Sequence, residues 1–446
     1  MNNISVDFAK KCGKIKPMHA TNNGPVYKFA ADQRVTNLYS FRDAGIPYAR
    51  NHDAAFYSTY GGEHTVDVAF IFPNFDADPY DPDSYDFVLT DEYLKVIELS
   101  GAKTFYRLGS KIEHWKKKYN TLPPKDFKKW AVICEHIIRH YNYGWADGFN
   151  MGIEYWEIWN EPDLDADDSP NKRCWGGTTK EFYELYNITA KHLKSCFPEL
   201  KIGGPSMAHP QDDWMRGFFE SLEVKPDFIS WHIYAANVDK VRARIRKMRE
   251  WIDRYGYTDC ESILNEWNYV RGWEGDDWIY SLKTDKNMKG AAFIASTMLM
   301  SQCEALDMLM YYDARPGGMN GMYSTDLVSE TLKGYHPFYM FNKLYMAGEQ
   351  VEGVSDSEFI QCVGATGDEK YLMLSYFDDE DKEKTKDIKI EFKNVNHGGK
   401  VRLEYYLLDE THDNALIREE IFTANEFSAY VTVKNYSVML LKISEA

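Results

Sequence analysis

A (β/α)8 barrel followed by a small β-sandwich is the fold this sequence predicts, and three observations predict it. Between residues 14 and 345, eight apolar runs of strand length alternate with helix-period segments, as expected of parallel strands joined by helical crossovers. After Tyr345 the helical period stops and short alternating segments take over. The length, 446 residues, exceeds the roughly 100–200 of an ordinary domain yet suits one large barrel with a satellite. The expected division is residues 1–13 as a strand joining the carboxyl-terminal sheet, 14–345 as the barrel and 346–446 as the sandwich.

In chain order, the barrel strands are expected at 15–19, 48–52, 103–108, 155–160, 201–203, 228–233, 262–265 and 308–312. Between the third and fourth, Phe127, Trp130, Cys134, Ile137 and Tyr141 keep a helical period behind Asp126, a good N-cap. Thr178 and Glu181 have the spacing of a capping box. Val241, Ile245, Met248, Ile252 and Tyr255 recur at steps of 4, 3, 4 and 3 and stop at Gly256, as a surface helix should. Beyond the barrel, Ile388, Ile390 and Phe392, then Val401, Leu403 and Tyr405, then Val438 and Leu440 alternate as strands. The charged run 378–387 reads as a solvated hairpin loop, and the alternation of Ile4, Val6 and Phe8 places the first strand in the same sheet.

Composition narrows the function classes. With 52 basic and 69 acidic residues the net charge is −17, and no Lys/Arg run forms a phosphate-tracking stripe, so nucleic acid and anionic membranes are poor partners. The longest apolar runs, such as 291–295, fall far short of the ~18 residues a membrane span needs. The first residues lack a signal-peptide core, so a cytoplasmic location is expected. The seven cysteines approach one another no closer than 22 residues, which suggests neither a disulfide framework nor a metal knuckle. No metal and no organic cofactor are expected, and a homo-oligomer is compatible with the sequence.

Two strand ends carry the chemistry: YWEIWNEPD at 155–163 and SILNEWNY at 262–269, each presenting one carboxylate flanked by Asn and Trp. Glu161 and Glu266 are 105 residues apart, about three barrel units, which assigns them to the fourth and seventh strands and to the face where barrel active sites lie. Two carboxylates about 5 Å apart can divide retaining glycoside hydrolysis between an acid and a nucleophile.

Trp159-Asn160-Glu161-Pro162, with a second Glu on the seventh strand, resembles the clan A glycoside hydrolases. Within the clan, IKPMHATNNGP, IPYARNHD, YRLGSKIE, WEIWNEPD, ISWHIY and ILNEWN are similar to glycoside hydrolase family 39, the family of β-xylosidases and α-L-iduronidases. The resemblance implies that Glu161 is the acid/base, Glu266 the nucleophile, and Asn160 the side chain that bonds the sugar's 2-hydroxyl. It also implies that Arg50, His232 and Tyr234 hold the nucleophile or the glycone. The implied activity is an exo-acting, retaining glycosidase on short oligosaccharides, a β-D-xylosidase first. The alternatives are an α-L-arabinoside, β-galactoside or uronide as substrate, or a sugar-binding protein without turnover.

The remaining candidates each have a structural rival. His19, His52 and Asp53 are expected to end strands, where sugar-hydroxyl binding suits them better than a metal. Trp267 and Trp175 are stacking platforms or core. Glu157, four residues before Glu161 and about 13 Å deeper at 3.3 Å per residue, reads as a hydrogen-bonded core acid. Tyr312 stands at the eighth strand end, where xylosidases of the family tend to carry Trp. Arg315 reads a uronic carboxylate or, as expected here, pairs with Asp313 or another loop acid.

Overall fold

A computed structural model of the chain describes residues 2–27, 36–53, 62–395 and 399–446. Strand β1 (Asn2–Lys14) precedes the barrel, which closes from β2 (Ala20–Asn22), β3 (Tyr48–Arg50), β4 (Lys103–Leu108), β5 (Tyr155–Ile158), β6 (Lys201–Met207), β7 (Phe228–Tyr234), β8 (Glu261–Asn268) and β9 (Met308–Tyr311). All neighbours in this ring are parallel, including β2 with β9. Ala20, Phe105, Tyr155, Phe228, Ile263, Met308 and Met310 fill the interior as a packed plug, so only the carboxyl end is open to chemistry.

The first barrel strand is displaced from its expected position. Residues 15–19 form a lead-in, and pairing begins at Ala20 opposite Met310. Pro17 has no N–H to give a ladder; its carbonyl accepts from Leu309 at 3.3 Å. His19 therefore lies before its strand rather than at its mouth, with Nε2 3.2 Å from the Gly45 carbonyl and its ring packed on Phe341 and Tyr345.

The helices follow their caps. The Asp126 side chain accepts from the Lys128 and Lys129 amides at the start of Phe127–Tyr143, both halves of the Thr178–Glu181 capping box are formed on Thr179–Cys196, and Val238–Arg254 ends just before Gly256 at φ +78°. The helix Met288–Gln302 is mostly apolar and wholly buried, because the barrel covers one side and the second sheet the other. No helix among the described residues is long and apolar enough to cross a membrane.

The second domain is one mostly antiparallel sheet built from β10 (Glu349–Ser355), β11 (Ile360–Thr366), β12 (Lys370–Tyr376), β13 (Thr385–Lys393), β14 (Val401–Leu408), β15 (Asp413–Phe422), β16 (Phe427–Lys434) and β17 (Ser437–Glu445). Its order is β15-β14-β17-β12-β11-β10-β1-β13-β16, with β1 parallel to β13 and antiparallel to β10. The sheet curls around Ile4, Val6, Phe392, Leu403 and Leu441 until its edges nearly meet, Phe422 stacking on Phe427 at 4.0 Å. A single sheet thus supplies both layers. The charged loop between β12 and β13 is pinned rather than merely solvated: Asp379 accepts from Tyr269 Oη at 2.7 Å, and Lys289 Nζ reaches Asp381 at 2.8 Å.

Candidate active site

Two departures from regular strand geometry build the site. Trp231 of β7 pairs with Leu264 of β8, but the next residue, His232, pairs with Glu266. This one-residue bulge, of the kind that re-aims side chains beside functional sites, lets consecutive Asn265 and Glu266 both face the barrel interior. The second departure is backbone strain: Trp159, Glu161 and Ser206 all lie in the left-handed region, at φ 76°, 50° and 62°. Non-glycine residues adopt it at a cost and persist there only where the surroundings over-determine them. Here the Glu161 amide donates to the Ser206 carbonyl at 2.9 Å, and Asp163 accepts from the Ala208 and His209 amides at 2.8 Å each. Gly109, at φ +118°, supplies the room, since a Cβ there would lie 3.0 Å from the Trp159 Cα.

Arg50, fully buried, organises the floor. Its Nε donates to Glu157 Oε2 (2.7 Å), Nη1 to Asn22 Oδ1 (2.9 Å) and Glu266 Oε1 (2.8 Å), and Nη2 to Asn160 Oδ1 (2.7 Å) and Ser206 Oγ (3.0 Å). All five guanidinium N–H groups are engaged. The Asn160 oxygen is thereby occupied. Glu157 is a core acid that also accepts from Ser230 Oγ at 2.6 Å and Asn265 Nδ2 at 2.5 Å. It is not remote from the mouth, however: the Arg50 guanidinium bridges it directly to Glu266.

His232 links the two carboxylates. Its Nδ1 lies 2.9 Å from Glu161 Oε1 and 3.4 Å from Glu266 Oε2, and an oxygen of each acid and this nitrogen fall within 4.8 Å of one another. Burial lowers the His232 pKa to about 4, so the ring is neutral near pH 7. Its tautomer follows from the network. Ser206 Oγ accepts from Arg50 and, at 3.0 Å, from Asn265 Nδ2, and of its two acceptors His232 Nε2 at 2.7 Å is far better placed for its proton than Asn265 Oδ1 at 3.3 Å. His232 therefore carries its proton on Nδ1 and donates to Glu161.

Burial raises the pKa of both Glu161 and Glu266. Their mutual repulsion makes the pair hold one proton over an extended pH range. The surroundings are unequal. Glu266 accepts from the Arg50 guanidinium and from Tyr234 Oη at 2.9 Å, while Glu161 has the neutral His232 and the weak thiol donor Cys174 at 3.5 Å. The charge thus belongs on Glu266 and the proton on Glu161.

Around the rim, Tyr312 Oη donates to Asp53 Oδ2 at 2.9 Å, and its ring lies 5.9 Å from His52 and 6.4 Å from Tyr234. His52 Nε2 is 3.6 Å from Glu266 Oε1. Although burial alone would raise the Asp53 carboxyl, His52, Arg315 and Lys111 hold it below the usual carboxylate range. Arg315 lies 3.4 Å from both Asp53 and Asp313. Glu161, Glu266, Asn160, Arg50, His52, Asp53, His232, Tyr234 and Tyr312 thus cluster at the carboxyl end of the barrel.

Trp267 does not belong there, which corrects its assignment as a sugar platform. It follows Glu266 on the strand, so alternation turns it outward, where it is fully buried against Phe293 and Tyr311. Trp175 is likewise core, edge-on to Trp159 at 5.1 Å. Gly203 and Gly204 lie within β6 against Phe228 and the Ile158 backbone, so close packing accounts for them. Sequence reasoning missed Ser206, Asn265, Asn22 and Cys174. Short-range periodicity contains no signal for residues that act by meeting across the barrel.

Comparison with known proteins bears on the family and the fold. The chain is 32% identical over 133 residues to a β-xylosidase of Geobacillus stearothermophilus, covering 28% of this chain and 24% of that protein. It is 30% identical over 250 residues to a β-xylosidase of Caldicellulosiruptor saccharolyticus, covering 53% and 46%. Each match thus spans less than half of the relative's length. Among solved structures, a glucosidase from Croceicoccus marinus superposes with a TM-score of 0.82 at 21% identity, covering 100% of this chain and 99% of that one. A monomeric β-xylosidase from Caulobacter crescentus does so at 0.71 and 15%, again covering 100% and 99%. The sequence model of glycosyl hydrolases family 39 matches residues 2–268, more than half of the chain, and the protein belongs to that family.

Proposed function

We propose that the protein is a retaining, exo-acting β-D-xylosidase in which Glu266 is the nucleophile and Glu161 the acid/base. The observation that carries this reading is the pair of carboxylates bridged by one His232 nitrogen, 2.9 Å from Glu161 and 3.4 Å from Glu266, an arrangement that suits the roughly 5–5.5 Å carboxyl separation of retaining enzymes better than the ~6.5–9.5 Å that inversion needs to admit a water. Glu266, held ionised by Arg50 and Tyr234, attacks the anomeric carbon as Glu161 gives its proton to the departing glycosidic oxygen. The Asn160 amide donates to the sugar's 2-hydroxyl. Once the glycosyl ester has formed, the negative charge of Glu266 is gone, and Glu161, now a carboxylate, takes a proton from the water that hydrolyses the ester. Hydrolysis of a panel of nitrophenyl glycosides tests the reading. The β-D-xyloside is expected to be fastest, a faster α-L-arabinoside, β-galactoside or uronide overturns the glycone, and no turnover of any leaves a binding protein. Uronides are expected to be poor because Arg315 is already engaged by Asp53 and Asp313.

Ser206 gives this mechanism a positioning residue. Ser206→Ala frees the His232 tautomer and removes an acceptor from Arg50. Hydrogen bonds to charged groups contribute roughly 1.5–3 kcal/mol, so kcat/KM should fall about 10- to 100-fold on an alkyl xyloside, which needs protonation. The loss on a dinitrophenyl xyloside should be smaller. Equal losses on both would show that Ser206 acts only through the fold.

A further inference from the structure

The two tryptophans nominated by sequence are buried, but a third stands at the rim. Trp273, in the loop after β8, is 54% exposed. It is nevertheless held in place: Trp278 stacks on it at 5.3 Å with 27° between the rings, and Tyr234 meets it at 5.0 Å and 74°. Tyr234 in turn donates to Glu266. One tyrosine ring thus separates Trp273 from the carboxylate that faces the anomeric carbon, a separation on the scale of a single sugar ring. The walls nearer the floor are polar and buried: Asn160, His52 and Asp53 offer hydrogen-bonding groups and no large apolar face. The aromatic surface lies farther out, and for the exo-acting enzyme proposed above the part of the substrate that extends outward is the leaving group. A pyranose presents a face of C–H bonds that covers an indole well, and Trp273 is a large aromatic side chain left half in water on a packed support beside the catalytic pair.

We infer that Trp273, backed by Trp278, is a stacking platform for the sugar unit on the leaving-group side, so that the protein favours disaccharides and longer oligosaccharides over glycosides with small leaving groups. This rests on the glycosidase reading above. The test compares kcat/KM for xylobiose and xylotriose with that for β-xylosyl fluoride, whose leaving group is a single atom, in the wild type, Trp273→Ala and Trp273→Phe. The oligosaccharide-to-fluoride ratio is expected to fall at least tenfold in Trp273→Ala and to recover most of that in Trp273→Phe. A ratio that stays constant, whether both rates fall together or neither changes, overturns the platform. If the wild type turns over neither substrate class, the β-xylosidase reading fails. The platform is then decided by titrating tryptophan fluorescence with xylobiose and cellobiose. Wild-type binding that weakens at least fivefold in Trp273→Ala supports it, and equal or absent binding overturns it.

Discussion

Glu266→Gln is expected to lower turnover by roughly 10^4-fold or more while the protein stays folded, since removing the group that forms a covalent intermediate costs about as much as removing the whole catalytic set. The side chain keeps its size, and Arg50 keeps four of its five partners, including the buried charge of Glu157. The loss should therefore appear in kcat with little change in the thermal transition. A 2-deoxy-2-fluoro xyloside should label the wild type at Glu266, read by peptide mass spectrometry. Label on Glu157 is excluded if the geometry is right, because its two oxygens are engaged by Arg50, Ser230 and Asn265 inside the packed barrel. Finding it there, or on Glu261, would overturn the assignment.

Replacing Glu161 by Ala should separate substrates by leaving group. General acid catalysis contributes about 10^2- to 10^4-fold, so alkyl xylosides and xylobiose should lose that much. A dinitrophenyl xyloside, whose leaving group departs unprotonated, should keep its glycosylation rate and stall at the ester. Azide, which needs no base, should then restore turnover and yield the β-xylosyl azide. The pH profile supplies an independent check. Glu161 must be protonated and Glu266 ionised, so kcat/KM should rise as Glu266 loses its proton and fall as pH climbs through the pKa of Glu161. Burial raises both carboxyls, so the active window should sit above the ordinary carboxylate range. Glu161→Ala should abolish the basic limb and leave the acidic one. Equal losses on all substrates, with the basic limb retained, would make Glu161 structural.

Seven of the eight barrel strands, the capped helices, the change of period after Tyr345 and the two strand-end acids were legible in the sequence alone, whereas the first barrel strand begins only at Ala20. Each is written over a few residues: apolar spacing selects strand or helix, Asp126 and Thr178 terminate helices through their own side chains, and a carboxylate next to the last apolar residue of a strand must emerge at its end. The tertiary structure alone decided how those ends are aimed. The bulge at Asn265 turns two consecutive polar residues inward and sends Trp267 into the core. Left-handed turns at Trp159 and Glu161 set the backbone that carries Glu161, and Arg50 places Glu157 within one guanidinium of Glu266. Arg50 reaches partners 107, 110, 156 and 216 residues away. Such contacts depend on which strands become neighbours and in what register, and those are properties of the closed barrel as a whole. The same reason explains Trp273 and Ser206: nothing within several residues of either distinguishes it, and each acquires its surroundings only when β6, β7 and β8 lie side by side.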